Sequence, residues 1–210
     1  MKTRRHVRAK FETAAGNPEN QDRGLVIEAG VGLVVVVADG AGGQSGGAEA
    51  ATMAVELVHQ KANEFHDASS CVALLHSMDQ AVCKDRVAGE TTCAVAVVTR
   101  TRVYGASVGD SGVWVINESG FINLTERQSR KPFIGSGSAL PSHFEHQITQ
   151  GDSLLLATDG LLKYTGPERI VAVCRSVAPL DVPRKLVELV RYPSGALPDD
   201  VTLIFAYEPK

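Results

Sequence analysis

Four aspartates in this chain each lie where an apolar, strand-like run of residues meets a turn: Asp39, Asp110, Asp159 and Asp199. Their surroundings read VVVVADGAGG, GASVGDSG, LLLATDGL and PDDVTLIFAY. If these strands belong to one sheet system and end at a common edge, the four carboxylates converge there. Two ionised carboxylates about 4 Å apart repel each other by about 4 kcal/mol at an effective dielectric near 20, so such a cluster must bind cations or take up protons.

The chemistry of these four side chains indicates a class of metal. Carboxylate oxygens favour hard ions with octahedral coordination, Mg²⁺ or Mn²⁺, whereas a zinc site would include Cys or His ligands. Asp-Gly is also an ordinary turn dipeptide, so each aspartate taken alone is compatible with a simple turn. The recurrence of the arrangement at four points of one small chain favours a shared metal site.

Length and composition limit the fold and the compartment. With 210 residues, of which 44% are hydrophobic, we expect a single domain over residues 1–210. A net charge of −3 gives no general field that would attract nucleic acid, although the segment MKTRRHVRAK is locally basic. That segment lacks the apolar core of a secretory signal, and no apolar run is long enough to cross a bilayer. We therefore expect a cytoplasmic monomer with no nucleic-acid or membrane partner.

The first half of the hydrophobic pattern predicts a strand followed by two helices. An almost continuous apolar strand is expected over residues 26–38, ending at Asp39. A helix follows within residues 47–65. A second helix is expected near residues 69–87, with Ser69 or Ser70 as its N-cap.

The second half of the pattern predicts more strands, two helices and a closing strand. The runs CAVAVVT, RVYGASVG, VWVIN and FINLT are typical of a meander. FEHQIT and SLLLAT are expected to be two further strands joined by a turn at Gly151-Asp152. Helices near residues 167–177 and 182–190 precede the last strand, VTLIFAY. This order predicts an α+β layered sandwich with the helices outside.

Two other catalytic motifs compete for the same residues. The loop GAGGQSGG resembles a dinucleotide-binding fingerprint, but Ser45 stands where the third Gly is required, and the Lys of a phosphate-binding loop is missing. The tetrapeptide Gly109-Asp110-Ser111-Gly112 resembles the nucleophile segment of chymotrypsin-like proteases, which also need an earlier His beside the serine. The earlier histidines fall in segments that we interpret as helix. Neither motif explains all four aspartates.

Taken together and in chain order, the motifs resemble those of the type 2C protein phosphatases, the metal-dependent Ser/Thr phosphatases. The resemblance runs from about residue 13 to residue 207, and although each motif is weak alone, the ordered set is specific. The segments that carry it are Asn20-Gln21-Asp22, Asp39-Gly40-Ala41-Gly42-Gly43 with Gly47 and Ala48, Thr91-Thr92, Gly109-Asp110-Ser111, Leu124-Thr125, Thr158-Asp159-Gly160-Leu161 and Asp199-Asp200-Val201-Thr202.

The resemblance implies a fold and an activity. The implied fold is a four-layer αββα sandwich, in which two central, mostly antiparallel sheets are flanked by pairs of helices. The implied activity is hydrolysis of phosphoserine and phosphothreonine in a protein substrate of a Ser/Thr kinase, and hence a role in signalling. The implied cofactor is Mn²⁺ or Mg²⁺, with two ions that share an attacking hydroxide and a possible third, weaker ion.

The resemblance also assigns roles to six residues. Asp39 would bridge two metal ions, and the carbonyl of Gly40 would bind one of them. Asp159 and Asp199 would complete the coordination of the second ion, so the implied catalytic residues are Asp39, Asp159 and Asp199. The two outer positions are Asp22, beside the first ion, and Asp110, which would hold the third ion.

The chain departs from the family pattern in several places, among them Gln21 in place of the common Glu and Gly112 in place of the common Arg. Many members carry an Arg before the Asn-x-Asp motif to hold the substrate phosphate; it is missing here, and Arg23 or Arg8 is a candidate substitute. Ala41 stands where eukaryotic members place a proposed acid His, so water would protonate the leaving group. The segment between Thr125 and Gly151 is short for a flap, and we expect its charges to be solvated: Arg127, Arg130 and Lys131.

A second function from a different class stays open. A pseudophosphatase of the same fold would bind phosphoproteins without turnover and act as a regulator. Such a binder is expected to have lost at least one metal ligand, whereas this chain retains all four core aspartates. The sequence therefore favours the enzyme.

Overall fold

The computed structural model describes residues 7–41 and 45–209, and its framework is a pair of five-stranded sheets. One sheet has the order β1-β10-β9-β6-β7 and the other the order β2-β3-β4-β5-β8, and all neighbouring strands run antiparallel. The strands are β1 Arg8–Ala14, β2 Asp22–Ala29, β3 Gly32–Asp39, β4 Cys93–Val98, β5 Arg102–Val108, β6 Gly112–Asn117, β7 Gly120–Asn123, β8 Ser142–Gln147, β9 Ser153–Ala157 and β10 Val201–Tyr207.

Pairs of helices cover the outer faces of the two sheets. α1 and α2 pack on the sheet of β2, β3 and β5, while α4 and α5 pack on the sheet of β1, β6 and β10. The order of layers is helix, sheet, sheet, helix, which confirms the predicted αββα sandwich. The helices are α1 Gly47–Lys61, α2 Ala68–Lys84, α3 Asp159–Leu162, α4 Pro167–Ser176 and α5 Val182–Val190, with a 3₁₀ turn at Ala62–Glu64 after α1.

The buried interior has three parts, one between the sheets and one under each helix pair. Val34 and Val36 on β3 face the helices, whereas Val35 and Val37 face the second sheet. Because β3 is buried on both faces, its sequence is a continuous apolar run rather than an alternating one. This rigid central strand ends at Asp39.

The single strand predicted over residues 26–38 is wrong, because the chain turns back in the middle of it. Ala29 pairs with Gly32, so Gly30 and Val31 form a two-residue turn between β2 and β3. Apolar residues lie on both sides of this turn, and its only sequence signal is glycine. The consequence for the site is direct, since the hairpin register places Asp22 opposite Asp39.

The predicted meander is also wrong, because the chain changes sheets between β5 and β6. Gly109, with φ of 97°, begins this crossing, and Asp110 and Ser111 complete it. The strands β8 and β9 belong to different sheets as well, so the turn at Gly151-Asp152 leads into β9 without making a hairpin. Hydrophobic periodicity predicts that a segment is a strand, but it does not specify the strand's partner.

The helix ends show one further difference. The N-cap of α2 is Asp67 rather than Ser69 or Ser70; its carboxylate accepts the Ser70 backbone N–H at 2.7 Å, while the Ser70 hydroxyl accepts the Asp67 N–H in a capping box. The helices α4 and α5 lie where they were predicted, each with Pro in its first turn. Among the residues that the structure describes, no helix is both long and apolar enough to span a membrane.

Candidate active site

Strand and loop ends from both sheets bring five aspartates to one end of the sandwich. Asp39 ends β3 opposite Asp22, which begins β2. Asp159 lies just after β9, and Asp199 lies just before β10. The Thr158 N–H donates to the Thr202 carbonyl at 2.9 Å and so joins the end of β9 to the start of β10. Asp110 precedes β6, whose first residue pairs with the last residue of β9. The structure thus brings together all the aspartates that the sequence analysis singled out for the site.

The carboxylates act on each other electrostatically. The pKa of Asp39 is raised to about 10, first by burial and then, in decreasing order, by the charges of Asp22, Asp159, Asp110 and Asp199. The pKa of Asp159 is also raised, first by burial and then by Asp110 and Asp199. A carboxyl surrounded by other carboxyls retains its proton unless a cation replaces it. The site therefore has the electrostatic character of a cation-binding site.

Asp22 differs from Asp39 because a hydroxyl supports its charged form. The pKa of Asp22 is raised to about 7, chiefly by burial, and the rise is limited by the Thr158 hydroxyl, which donates to its Oδ2 at 2.8 Å. The Thr158 oxygen in turn accepts the backbone N–H of Thr202 at 3.0 Å. Thr158 thus fixes the orientation of Asp22 from the opposite sheet.

The backbone around Asp39 is fixed by two neighbouring threonines. The Thr91 hydroxyl donates to the Asp39 carbonyl at 2.9 Å, and the Asp39 N–H donates to Thr92 Oγ1 at 3.1 Å. Gly40 follows, and a Cβ there would lie 2.4 Å from the Gly47 backbone at the start of α1. Only glycine fits this approach, so the Asp-Gly pair is more than a turn dipeptide here.

Asp200 is an important residue that the sequence analysis did not single out. Its buried Oδ1 accepts the backbone N–H groups of Gly16 and Asn17 at 2.8 and 3.0 Å, and its Oδ2 accepts that of Gln21 at 2.9 Å. Asp200 therefore shapes the loop that leads to Asp22, while its neighbour Asp199 is left at the site. The sequence places Asp199 and Asp200 side by side but does not show which of them serves the loop and which serves the site.

Two cationic side chains lie beside the acidic cluster. The Lys163 Nζ is 3.9 Å from Asp159 Oδ2, and the Arg130 Nη2 is 2.8 Å from Asp110 Oδ2. The expectation that Arg130 is only solvated is therefore wrong, although its side chain is 74% exposed. Arg127 and Lys131 form no ion pair within the described part of the chain.

Neither of the two arginines considered as phosphate anchors directs its guanidinium to the acidic cluster as a free cation. The Arg23 guanidinium donates to the carbonyls of Asn20 and Asp22 at 2.7 and 2.8 Å and to the Thr52 hydroxyl at 3.0 Å. The Arg23 side chain therefore stabilises the backbone at Asn20 and Asp22. Arg8 lies at the end of β1 that pairs with Tyr207, and the site lies at the other end of β10.

The donor set at this end of the sandwich fits hard divalent cations, since it consists of carboxylate oxygens and the Gly40 carbonyl. The strand bridge between Gly40 and Thr91 does not use this carbonyl, because its hydrogen bonds join Thr92 to Asp39 and Ala41 to Glu90. Within residues 7–41 and 45–209, however, no three Asp, Glu, His or Cys side chains are arranged to hold an ion. The carboxylates are near enough to repel but do not form a coordination sphere.

Comparison with known proteins identifies the family. A family model described as Protein phosphatase 2C matches residues 12–190, which is most of the chain. The chain belongs to the protein phosphatase 2C family. It is accordingly a phosphoprotein phosphatase, and the resemblance drawn from the ordered motifs is confirmed.

Individual relatives agree with this assignment. The protein phosphatase PTC7 homolog fig of Drosophila ananassae is 28% identical over 82% of this chain and 68% of its own length. A variant of a bacterial serine phosphatase superposes with a TM-score of 0.84 at 23% identity, covering 96% of this chain and 98% of its own. The catalytic domain of the serine threonine protein phosphatase PstP, solved with two manganese ions, gives a TM-score of 0.80 at 18% identity and covers 97% and 99%. At these identities the structural likeness establishes the fold.

Proposed function

We propose that this protein phosphatase 2C member is a metal-dependent Ser/Thr phosphatase that hydrolyses phosphoserine and phosphothreonine in protein substrates. The observation that carries the proposal is the convergence of four other aspartates around Asp39, whose pKa is raised to about 10 by burial and by these four carboxylates. Family membership supplies the reaction class. The oxygen donors supply the reason for a divalent ion.

The proposed cofactor is Mn²⁺ or Mg²⁺, with two ions at the core of the site. Asp39, the Gly40 carbonyl, Asp159 and Asp199 would hold them. The ions would supply a hydroxide for in-line attack and neutralise the phosphate oxygens, so no covalent phosphoenzyme is needed. The structure of PstP with two manganese ions supports this choice of metal in a protein of the same fold. The remaining proposed ligands are Asp22, beside the core ions, and Asp110, for a possible third ion that binds more weakly.

The residues around the ligands would keep the site in one arrangement during turnover. Thr158 holds the Asp22 side chain, and Thr91 and Thr92 hold the Asp39 backbone. Asp200 holds the loop that leads to Asp22. Preorganised donors and charges of this kind do not need to reorganise when the transition state forms. Lys163, beside Asp159, is the proposed contact for the substrate phosphate. Ala41 has no proton to give, so solvent water would protonate the leaving group.

The wider biological setting is part of the proposal. We expect a single catalytic domain over residues 1–210, acting as a cytoplasmic monomer in signalling that a Ser/Thr kinase opposes. Its partner would be the phosphorylated protein substrate.

The test is hydrolysis of a phosphothreonine peptide by the purified protein with Mn²⁺ or Mg²⁺, and again after EDTA. We expect turnover that requires the metal and that a serine-directed inhibitor does not change. Asp39→Ala should abolish turnover and keep the fold, whereas Asp181→Ala, at an exposed aspartate before α5, should change neither. Activity in Asp39→Ala would contradict the two-metal assignment. Metal binding by the unmodified protein without turnover would favour the phosphoprotein-binding regulator instead.

A further inference from the structure

One carboxylate of the acidic cluster already has a cationic partner. The Arg130 Nη2 donates to Asp110 Oδ2 at 2.8 Å, and the Asp110 side chain is only 21% exposed. The pKa of Arg130 is raised, first by this hydrogen bond and the charge of Asp110 and then by Asp159. The guanidinium therefore lies within the field of the cluster.

The loop that carries Arg130 is held on its N-terminal side by Gln128. Its Nε2 donates to the Ser111 carbonyl at 2.7 Å, and its Oε1 accepts the Ser107 hydroxyl. Ser111 follows Asp110 directly and shares a hydrogen bond of 2.7 Å with Thr92. The loop is thereby tied to the same crossing that positions Asp110.

The loop is also held on its C-terminal side. Ile134 and Thr91 exchange two backbone hydrogen bonds of 3.0 Å, which fasten the loop to the segment that supports Asp39. Beyond this bridge, the buried carboxylate of Asp79 on α2 accepts the backbone N–H groups of Gly135, Gly137 and Ala139. Because both ends are fixed, the conformational entropy lost when Arg130 meets Asp110 is smaller than in a free loop.

We infer that Arg130 is a tethered cation that holds Asp110 in place of a third divalent ion. The inference rests on the proposed two-metal phosphatase function. A divalent ion bound to Asp110 would either displace the Arg130 guanidinium or be repelled by its positive charge, because both would lie against the same carboxylate. The chain should therefore bind two divalent ions at the core and a third only weakly.

The test is calorimetric titration of the metal-free protein with Mn²⁺, which measures binding without reference to activity. In Arg130→Gln, the weakest Mn²⁺ site should become about three- to fivefold tighter, the change expected when a partly exposed ion pair is removed. Arg130→Lys should lie between this variant and the unmodified protein. Arg130→Gln combined with Asp110→Asn should lose the gained affinity. Arg127→Gln, on the same loop and also exposed, is the matched control and should leave Mn²⁺ binding unchanged.

The outcomes separate this inference from the proposed function. Identical weak-site binding in Arg130→Gln and the unmodified protein would overturn the inference. So would a higher KM for the phosphopeptide in Arg130→Gln with unchanged Mn²⁺ binding, because Arg130 would then act on the substrate. Failure of the unmodified protein to bind any Mn²⁺ would instead overturn the proposed function itself.

Discussion

Replacing Asp79 should loosen the short loop beside the site and destabilise the whole protein. Asp79 is 2% exposed on α2, and its Oδ1 accepts the N–H groups of Gly135 and Gly137 at 2.8 and 3.0 Å. Its Oδ2 accepts the N–H of Ala139 at 3.1 Å. A helix side chain thus organises a loop more than fifty residues further along the chain.

The magnitude follows from which bonds each substitution can keep. Asn at position 79 retains one carbonyl oxygen for two of the donors, but its amide group faces the Ala139 N–H, so one hydrogen bond to a charged acceptor becomes a clash of donors. Such a loss costs about 2 kcal/mol of the free energy of unfolding. Ala leaves all three N–H groups without an acceptor, and we expect it to cost about 3 to 5 kcal/mol.

Urea unfolding followed by fluorescence measures these free energies, because the only tryptophan, Trp114, is buried on β6. Asp181→Asn is the control; Asp181 is exposed, with one exposed ion pair to Arg184, so the change should stay within about 0.5 kcal/mol. If Asp79→Asn unfolds at the same urea concentration as the unmodified protein, then the carboxylate does not organise this loop.

Three further predictions concern the site. Asp200→Asn should lower kcat about tenfold or more while circular dichroism shows a retained fold, because the loop before Asp22 loses a charged acceptor for its N–H groups; unchanged steady-state kinetics would contradict this. In EDTA, the free energy of unfolding should fall as the pH rises from about 4 through 7 and above, because the folded-state pKa values of Asp22 (about 7) and Asp39 (about 10) exceed the unfolded value of about 4. Urea unfolding at pH 5 and pH 8 should show a smaller fall in Asp39→Asn, and an equal fall in both proteins would count against the assigned shifts. Lys163→Met should raise the KM for a phosphothreonine peptide about two- to fivefold, whereas Lys185→Met, exposed on α5, should not; equal KM values in the two variants would exclude Lys163 as the phosphate contact.

The elements of the fold were predictable where local signals decide them. The helices α4 and α5 each have Pro in the first turn and carry apolar residues at helical spacing, so their bounds follow from the sequence. The pairing of strands was not predictable, because β5 and β6 read as consecutive strands although they join different sheets. Only the whole packing decides which sheet each strand enters. The turn at Gly30 and Val31 was missed for a related reason, since apolar residues flank it on both sides.

The residues of the site likewise include some that the sequence could predict and others that it could not. The aspartates that converge were predictable, because each marks the end of an apolar strand, and strand ends share an edge. Asp79, Asp200 and Arg130 were not predictable, since their partners lie between 20 and 184 residues away along the chain. Nothing in the sequence near a carboxylate distinguishes one that faces a metal from one that accepts backbone N–H groups. That distinction needs the tertiary structure.

The charge balance of the site argues for two divalent ions rather than three. Five carboxylates, if all are ionised, exceed the two cations that lie beside them among the described residues, Arg130 and Lys163, by three negative charges. One divalent ion leaves the cluster negative. With two divalent ions and the proposed hydroxide the cluster is neutral, and before the hydroxide binds it is positive by a single charge. A third ion would raise this to three positive charges in a partly buried space and would also compete with Arg130 for Asp110. Without Arg130, the same two ions would leave the cluster neutral, and a third ion would meet less repulsion. Arg130 therefore shifts the balance toward the two-ion state.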